Sequence, residues 1–173
     1  MKKVLLCLLG ILLVLVEMSI TNYIDIFNVS FNLLTIYITI ISLYLDETDA
    51  SIIGAIIGLV KDIAVGGIFG VNALILFTIG YGISFLKNKI YKESNITIFA
   101  LVFIASLFDS MVNIVAVIPV YNTYGILNLV TKGILTIPLI NSTLSVLLYN
   151  LFKTSILKLK EDYLVIEWKK EKK

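Results

Sequence analysis

The sequence predicts an all-α integral membrane protein, built as a bundle of about six transmembrane helices. Of its 173 residues, 59% are hydrophobic and only 15% are charged. Its mean hydropathy of +1.01 lies far above the usual range of soluble domains. Because one crossing takes about 20 apolar residues, a chain of this length has room for about six crossings and for no separate soluble domain.

Six apolar stretches, bounded by polar residues or by glycine and proline, are the predicted spans. They lie near residues 4–20, 31–45, 51–65, 71–86, 96–118 and 134–152. Together they form one transmembrane domain over residues 1–155, and residues 156–173 form a basic cytoplasmic tail. The segment Pro119–Gly133 is intermediate in polarity, which predicts an interfacial stretch that leads into the sixth helix.

Lysines are concentrated on one side of the predicted spans. All fourteen basic residues are lysines; two precede the first span, three lie between the fourth and the fifth, and seven follow the sixth. Because cytoplasmic loops carry the excess of basic residues, both termini are predicted to lie in the cytoplasm. The tail is then either a basic amphipathic helix on the membrane surface or a solvated segment that only fixes the topology.

The composition excludes several classes of chemistry. The chain has no histidine, so a histidine proton relay, a histidine-ligated metal and a Ser/His or Cys/His catalytic pair are all excluded. The single cysteine, Cys7, can form neither an internal disulfide nor a zinc site, and it is interpreted as a packing residue. The net charge of +2 is too small and too dispersed for binding of nucleic acid. We therefore expect no catalytic residue, no cofactor and no metal.

Five ionisable residues are predicted to lie within the spans or at their edges, where a charge is costly and marks either a site or a buried pair. They are Glu17, Lys61, Asp62, Asp109 and Lys132. At about 1.5 Å per residue, all five fall in the outer half of the bilayer, which predicts one polar cluster near the outer face. The alternative is that they pair or snorkel and only hold helices together.

The third span carries Gly54, Gly58, Asp62 and Gly66 at intervals of four residues, and this spacing lays them along one helical face. A face of small residues lets a second helix approach closely. Gly54 and Gly58 are therefore predicted to form a close helix contact.

The fifth span carries a polar stripe at helical spacing, formed by Ser106, Asp109, Ser110 and Asn113. Asn113 is predicted either to belong to a site or simply to hydrogen-bond a neighbouring helix. Asp62 is the residue most expected to matter, in a structural role, with Lys132, Asn72 or the stripe of the fifth span as its partner.

The order and spacing of several short motifs resemble those of the MreD family. The motifs are Leu43-Tyr44-Leu45-Asp46-Glu47, Gly58-Leu59-Val60-Lys61-Asp62, Phe69-Gly70-Val71-Asn72-Ala73-Leu74, Gly80-Tyr81-Gly82, and Pro138-Leu139-Ile140-Asn141 with Tyr149. Each motif alone is degenerate. The resemblance rests on their occurring together, in this order, over essentially the whole chain. The candidate structural and partner-binding residues are Gly54, Gly58, Asp62, Gly66, Gly70, Asn72, Asp109, Asn113, Lys132 and Asn141.

The resemblance implies a non-enzymatic scaffold of the cell-wall elongation complex in the bacterial cell membrane. Members of this family bind MreC and work with RodA and a class B penicillin-binding protein in lateral peptidoglycan synthesis, indirectly coordinated with MreB. The family is also similar in fold to the substrate-binding components of energy-coupling factor transporters. This similarity supplies an alternative, in which the chain is the substrate-binding component of a vitamin importer.

An intramembrane aspartyl protease is the enzymatic alternative, since Asp62 and Asp109 could form a catalytic dyad. The residues before Asp62 are Leu59-Val60-Lys61, which lack the Gly-x-Gly-Asp pattern of such proteases. The sequence therefore favours a scaffold over a protease.

Overall fold

The computed structural model describes residues 2–21, 31–90, 94–117, 132–149 and 152, and within them the chain is helical with no strand. The six helices are α1 Lys2–Thr21, α2 Leu33–Ser42, α3 Glu47–Val65, α4 Val71–Leu86, α5 Asn95–Val117 and α6 Ile134–Tyr149. The predicted all-helical fold with six helices is therefore confirmed. The interfacial stretch predicted over residues 119–133 lies almost entirely outside the described residues, as does the predicted tail.

Helix α2 lies at the centre of the molecule. All ten of its residues are buried, and it contacts α1, α3, α4 and α5. A helix that is apolar all round needs such a position, because every face must be covered. The hydroxyl of Tyr37 donates a hydrogen bond of 2.7 Å to the carbonyl of Leu6 and so fastens α2 to α1. At about 1.5 Å per residue, this helix is only about 15 Å long, so it fills part of the span predicted over residues 31–45.

Helices α3 and α4 pack against each other over a glycine-lined contact. A Cβ atom at Gly54 would collide with the main chain of Leu76. At Gly58 it would lie 2.6 Å from the carbonyl oxygen of Asn72, and at Gly80 it would lie 2.6 Å from that of Ala50. Only the absence of a side chain allows the two backbones to come this close.

Gly66 does not take part in this contact, which corrects its assignment to the glycine face. It ends α3 in the left-handed conformation with φ of 68°, and no atom lies within 4 Å of where its Cβ would be. Gly70 has φ of 93° and is the N-cap of α4. These two residues serve the turn between the helices, because glycine adopts a positive φ without steric cost.

Helix α3 begins earlier than the predicted third span. Asp46 is its N-cap, and Glu47 and Asp49 lie in its first turn. Acidic side chains favour this position because the amino end of a helix carries a partial positive charge. Residues 46–49, which lie between the second and third predicted spans, are thus mostly helical.

Helix α6 begins within a π-helical turn at Lys132–Thr136, just before Pro138, which has no N–H to continue a regular ladder.

The outward faces of the helices are apolar. On α1, for example, the exposed side chains include Leu8, Leu12 and Leu15. Within the described residues, α5 is long and apolar enough over Asn95–Ala116 to cross a membrane alone, whereas α2, α4 and α6 are shorter apolar helices. An apolar exterior of this kind fits a membrane protein.

Candidate functional site

Buried polar groups from several helices meet at the amino end of α2. Asn32 is the N-cap of α2, and its Oδ1 accepts a hydrogen bond of 3.1 Å from the backbone N–H of Thr35. Its Nδ2 donates to Asp109 at 2.7 Å, and its backbone N–H donates to Oδ1 of Asn141 at 3.0 Å. One asparagine therefore connects α2 to both α5 and α6.

A buried ion pair lies beside this N-cap. Nζ of Lys61 is 2.8 Å from Oε1 of Glu17, and these two side chains are only 13% and 8% exposed. Lys61 also donates to Oδ1 of Asn32 at 3.3 Å. The second carboxylate oxygen of Glu17 accepts the backbone N–H of Leu34 at 3.0 Å, in the first turn of α2. The pair thus links α1 and α3 to the positive end of α2, where a carboxylate is favoured.

Asp109 of α5 is the second buried carboxylate at this point. It accepts hydrogen bonds from Asn32, from the hydroxyl of Thr35 at 3.4 Å and from Nδ2 of Asn113 at 3.0 Å. One turn earlier on α5, the hydroxyl of Ser106 accepts a bond of 3.1 Å from Nδ2 of Asn141. We call this set the α2 network; its members are Glu17, Asn32, Thr35, Lys61, Ser106, Asp109, Asn113 and Asn141.

Asp62 forms a separate structure, which we call the α4 cap. Its carboxylate is 3% exposed and accepts the backbone N–H groups of Gly70, Asn72 and Ala73 at 3.0 to 3.1 Å. Nδ2 of Asn72 donates a further bond of 2.8 Å. A carboxylate on α3 therefore satisfies the amino end of α4, where the helix itself supplies no acceptors.

The structure divides the predicted polar cluster into two parts. Glu17, Lys61 and Asp109 lie together, whereas Asp62 is on the other side of α3 and belongs to the α4 cap. Adjacent residues of a helix point about 100° apart, so Lys61 and Asp62 serve different neighbours. Asn72 is the partner of Asp62 among those predicted, and the side chain of Lys132 lies outside the described residues.

From the sequence, Glu17 and Lys61 are predicted only as members of the polar cluster, and Ser106 only as part of the stripe on the fifth span. The other two members of the α2 network, Asn32 and Thr35, are not predicted at all. The signal for Asn32 is present in the sequence, because an asparagine directly before an apolar run is typical of a helix N-cap. Thr35 gives no such signal, since a threonine in an apolar helix ordinarily bonds to its own backbone.

The opposite end of the bundle, which we call the lysine-bearing end, carries exposed ion pairs. Lys3 lies 2.7 Å from Asp49, and Lys87 lies 2.7 Å from Asp46. Lys87 also donates to the carbonyl of Leu45 at 2.8 Å. The hydrogen bond and the positive charge of Lys87 hold the pKa of Asp46 below its ordinary value. These contacts bring the start of α1, the α2–α3 turn and the end of α4 to the same end of the molecule.

The buried carboxylates of Glu17, Asp62 and Asp109 are used for contacts between helices. Within the part of the chain that the structure describes, no three His, Cys, Asp or Glu side chains are close enough to hold a metal. Asp62 and Asp109 bond to different partners in the α4 cap and the α2 network. They therefore do not have the arrangement of a dyad in which two carboxylates share a proton.

The family model described as rod shape-determining protein MreD matches residues 1–157 of the chain, which include all six helices. The chain belongs to the MreD family. The predicted resemblance is thereby confirmed, and with it a role in determining rod shape. Proteins of this family are membrane proteins, in agreement with the apolar exterior of the bundle. No curated protein matches the chain, and no solved structure matches it either.

Proposed function

We propose that the chain is a non-enzymatic, multi-pass scaffold of the bacterial cell membrane that binds MreC and organises lateral peptidoglycan synthesis. In this proposal it works with RodA and a class B penicillin-binding protein, and indirectly with MreB. The observation that carries the proposal is the family match over residues 1–157, because it takes in every helix of the bundle.

The arrangement of the polar groups supports a scaffold. Asn141, Ser106 and Asp109 are at most 4% exposed, and each takes part in a hydrogen bond to another helix or to its N-cap. In an apolar environment such bonds replace lost bonds to water and hold neighbouring helices in one arrangement. A partner that binds the outer surface then meets helices that are already fixed, which lowers the entropic cost of binding.

The lysine-bearing end supports the proposed orientation, in which both termini lie in the cytoplasm. Lys3 and Lys87 lie at the same end of the molecule as the α2–α3 turn. Cytoplasmic loops are enriched in lysine, so this end is assigned to the cytoplasm and the α2 network to the other half of the bilayer.

Co-purification tests the proposed partner. We expect the tagged chain, extracted in mild detergent from the membranes of its own bacterium, to recover a protein with one membrane span and a large extracellular domain. Recovery should fall for Gly58→Ala, which disturbs the contact of α3 and α4, and persist for the matched variant Gly82→Ala, where a Cβ meets no atom within 4 Å. Recovery of an ATPase pair together with a bound vitamin would instead identify an importer component.

Cysteine labelling tests the orientation. Single cysteines in a Cys7→Ser background should react with an impermeant reagent in intact cells at positions Asn28 and Asn122, and should not react at Asn88 or Ser94. Labelling at Asn88 would reverse the orientation and leave the family assignment intact.

A further inference from the structure

The turn between α3 and α4, residues 66–70, exposes large apolar side chains beside its glycines. Phe69 is 68% exposed, Val65 at the end of α3 is 55% exposed, and Ile68 is 39% exposed. No charged residue occurs between Asp62 and Lys87. A turn exposed to water ordinarily carries polar residues, so this composition calls for a different environment.

The amino end of α4 needs nothing from water. The N–H groups of Gly70, Asn72 and Ala73 bond to Asp62. The N–H of Val71 bonds to the carbonyl of Ile68 at 3.3 Å, and that of Leu74 bonds to Gly70 at 2.9 Å. Every backbone donor over these five residues is therefore paired inside the protein, as a hydrocarbon environment requires.

The lengths of the two helices place the turn near the edge of a bilayer. The 19 residues of α3 and the 16 residues of α4 span about 28 Å and about 24 Å at about 1.5 Å per residue. The hydrocarbon core is about 30 Å thick. Lys87 holds the carboxyl end of α4 at the lysine-bearing end of the bundle. The amino end of α4 therefore lies just inside the opposite boundary of the hydrocarbon core, and the turn reaches about as far as that boundary.

We propose that the α3–α4 turn is inserted into the lipid of the leaflet opposite the lysine-bearing end, with Ile68 and Phe69 among the acyl chains just below the headgroups. The buried carboxylate of Asp62 makes this insertion possible, because it pairs the donors that would otherwise hold the amino end of α4 in water. Glycine at positions 66 and 70 lets the chain reverse within a short turn. The inference depends on the proposed multi-pass topology and adds a lipid contact to it.

The apolar side chains of the α3–α4 turn favour lipid as the occupant of this surface. Phe69, Ile68 and Val65 offer only hydrocarbon, and neither a hydrogen bond nor a charge on these side chains would select a polar partner. Lipid molecules are amphipathic and therefore suit this turn. Their acyl chains contact the apolar side chains, and the headgroups and their water reach the remaining backbone groups of the turn.

Tryptophan fluorescence measures the depth of the turn. In a Trp168→Phe background, Phe69→Trp is reconstituted into phosphatidylcholine vesicles that carry bromine either near the glycerol end or near the methyl end of the acyl chains. We expect the largest loss of emission from bromine near the glycerol end and little loss from aqueous acrylamide. Emission quenched by acrylamide alone would place the turn in water, and emission quenched by neither would place it under protein; either result would overturn the inference.

Phe77→Trp in the same background is the matched control. Phe77 is an exposed residue of α4, six positions beyond its start and so about 9 Å deeper, and bromine near the methyl end should quench it most. If Phe77→Trp is quenched as expected and Phe69→Trp is not, the topology stands and only the inserted turn is wrong. If bromine at neither depth quenches Phe77→Trp, the membrane topology itself fails, and this inference fails with it.

The role of Asp62 is tested in the same vesicles. Adding Asp62→Ala to Phe69→Trp removes the acceptor of three backbone donors, and we expect the emission to shift to longer wavelength and to become accessible to acrylamide. The control, Asp46→Ala at the lysine-bearing end, should leave the emission unchanged. An unchanged depth of Phe69→Trp with Asp62→Ala, in protein that remains helical, would show that the cap is not needed for insertion.

Discussion

The two ends of the bundle use similar charged residues in different ways. At the lysine-bearing end, Lys3 is 65% exposed and Asp46 is 82% exposed, and each lies in a pair on the surface. At the opposite end, Glu17 and Lys61 pair at 8% and 13% exposure, and Asp62 and Asp109 are at least as well buried. Exposed pairs contribute little to stability, whereas a buried charge that loses its partner is strongly destabilising.

This difference separates two tasks that charges perform in a helical membrane protein. In the proposed topology the exposed lysines set the orientation, which depends on their number and side and hardly on their exact contacts. The buried groups specify which helices meet, and each depends on a particular donor or acceptor. Substitutions should therefore have large effects at one end and small effects at the other.

Among the ion pairs, the largest difference should come from Glu17→Gln compared with Asp49→Asn. The first leaves the buried ammonium of Lys61 without its carboxylate and should lower the free energy of unfolding by about 3 to 5 kcal/mol. The second breaks the exposed pair with Lys3 and should cost at most about 1 kcal/mol. Denaturant titration in detergent measures both, and equal losses would remove the distinction between the two ends. Adding Lys61→Met to Glu17→Gln should recover part of the stability, because it removes the unpaired charge.

The contact of α3 and α4 should tolerate no side chain at Gly58. Gly58→Ala places a Cβ against the main chain of Ala73, and such overpacking should cost about 1 to 3 kcal/mol. Gly82→Ala on α4 meets open space and should be neutral or stabilising by up to about 1 kcal/mol, because alanine is the better helix former. Thermal unfolding of both variants, followed by circular dichroism, makes the comparison; a Gly58→Ala protein as stable as Gly82→Ala would show the glycine contact to be incidental.

Asn32→Ala should have an intermediate effect. It removes the N-cap of α2, which typically costs about 1 kcal/mol, and it also removes a donor to Asp109. Asn32→Ser keeps a capping oxygen but loses the amide donor to Asp109, so its stability should lie between those of Asn32→Ala and the wild type. Unfolding midpoints in the same detergent test this order, and an Asn32→Ser protein no more stable than Asn32→Ala would contradict the assignment of Asn32 as the N-cap.

The smallest effect is expected for Asp46→Asn, and it should depend on pH. The pKa of Asp46 is lowered in the folded protein by Lys87, so its contribution is present above the ordinary pKa of an aspartate, about 3.9. That contribution is lost as the pH falls through the lower pKa of the folded state. The small difference in unfolding midpoint between the wild type and Asp46→Asn should therefore disappear in acid. A difference that grows as the pH falls would contradict the pairing with Lys87.

Much of the fold follows from the sequence because long apolar stretches, bounded by polar residues or by glycine and proline, are typical of helices. Each of the six predicted stretches overlaps one of the six helices, and only for α4 do both boundaries agree. Helix α3 starts at Glu47 because acidic residues stabilise its first turn, and α2 stops at Ser42, short of the end of its apolar stretch. Hydropathy reports where lipid is tolerated and does not report where a helix is capped.

The polar contacts were harder to predict because they depend on which helices are neighbours. Helical spacing placed Asp109 and Asn113 on one face, and their hydrogen bond follows from that spacing. The division between Lys61 and Asp62 does not follow from one-dimensional depth, which puts both at the same level. It requires knowing that α4 lies on one side of α3 and that Glu17 and Asn32 lie on the other.

The most direct test of the account replaces Asp62 at the native chromosomal position and measures cell shape together with the amount of the protein. Asp62→Leu leaves the half-buried N–H groups of Gly70, Asn72 and Ala73 without their acceptor, and each donor that water does not reach costs about 1 to 3 kcal/mol. Asp62→Asn keeps one acceptor oxygen and should be less damaging. We predict that Asp62→Leu cells lose the rod shape or the protein, while Asp46→Leu cells at the lysine-bearing end keep both. Full rod-shaped growth with Asp62→Leu at the native protein level would contradict the account.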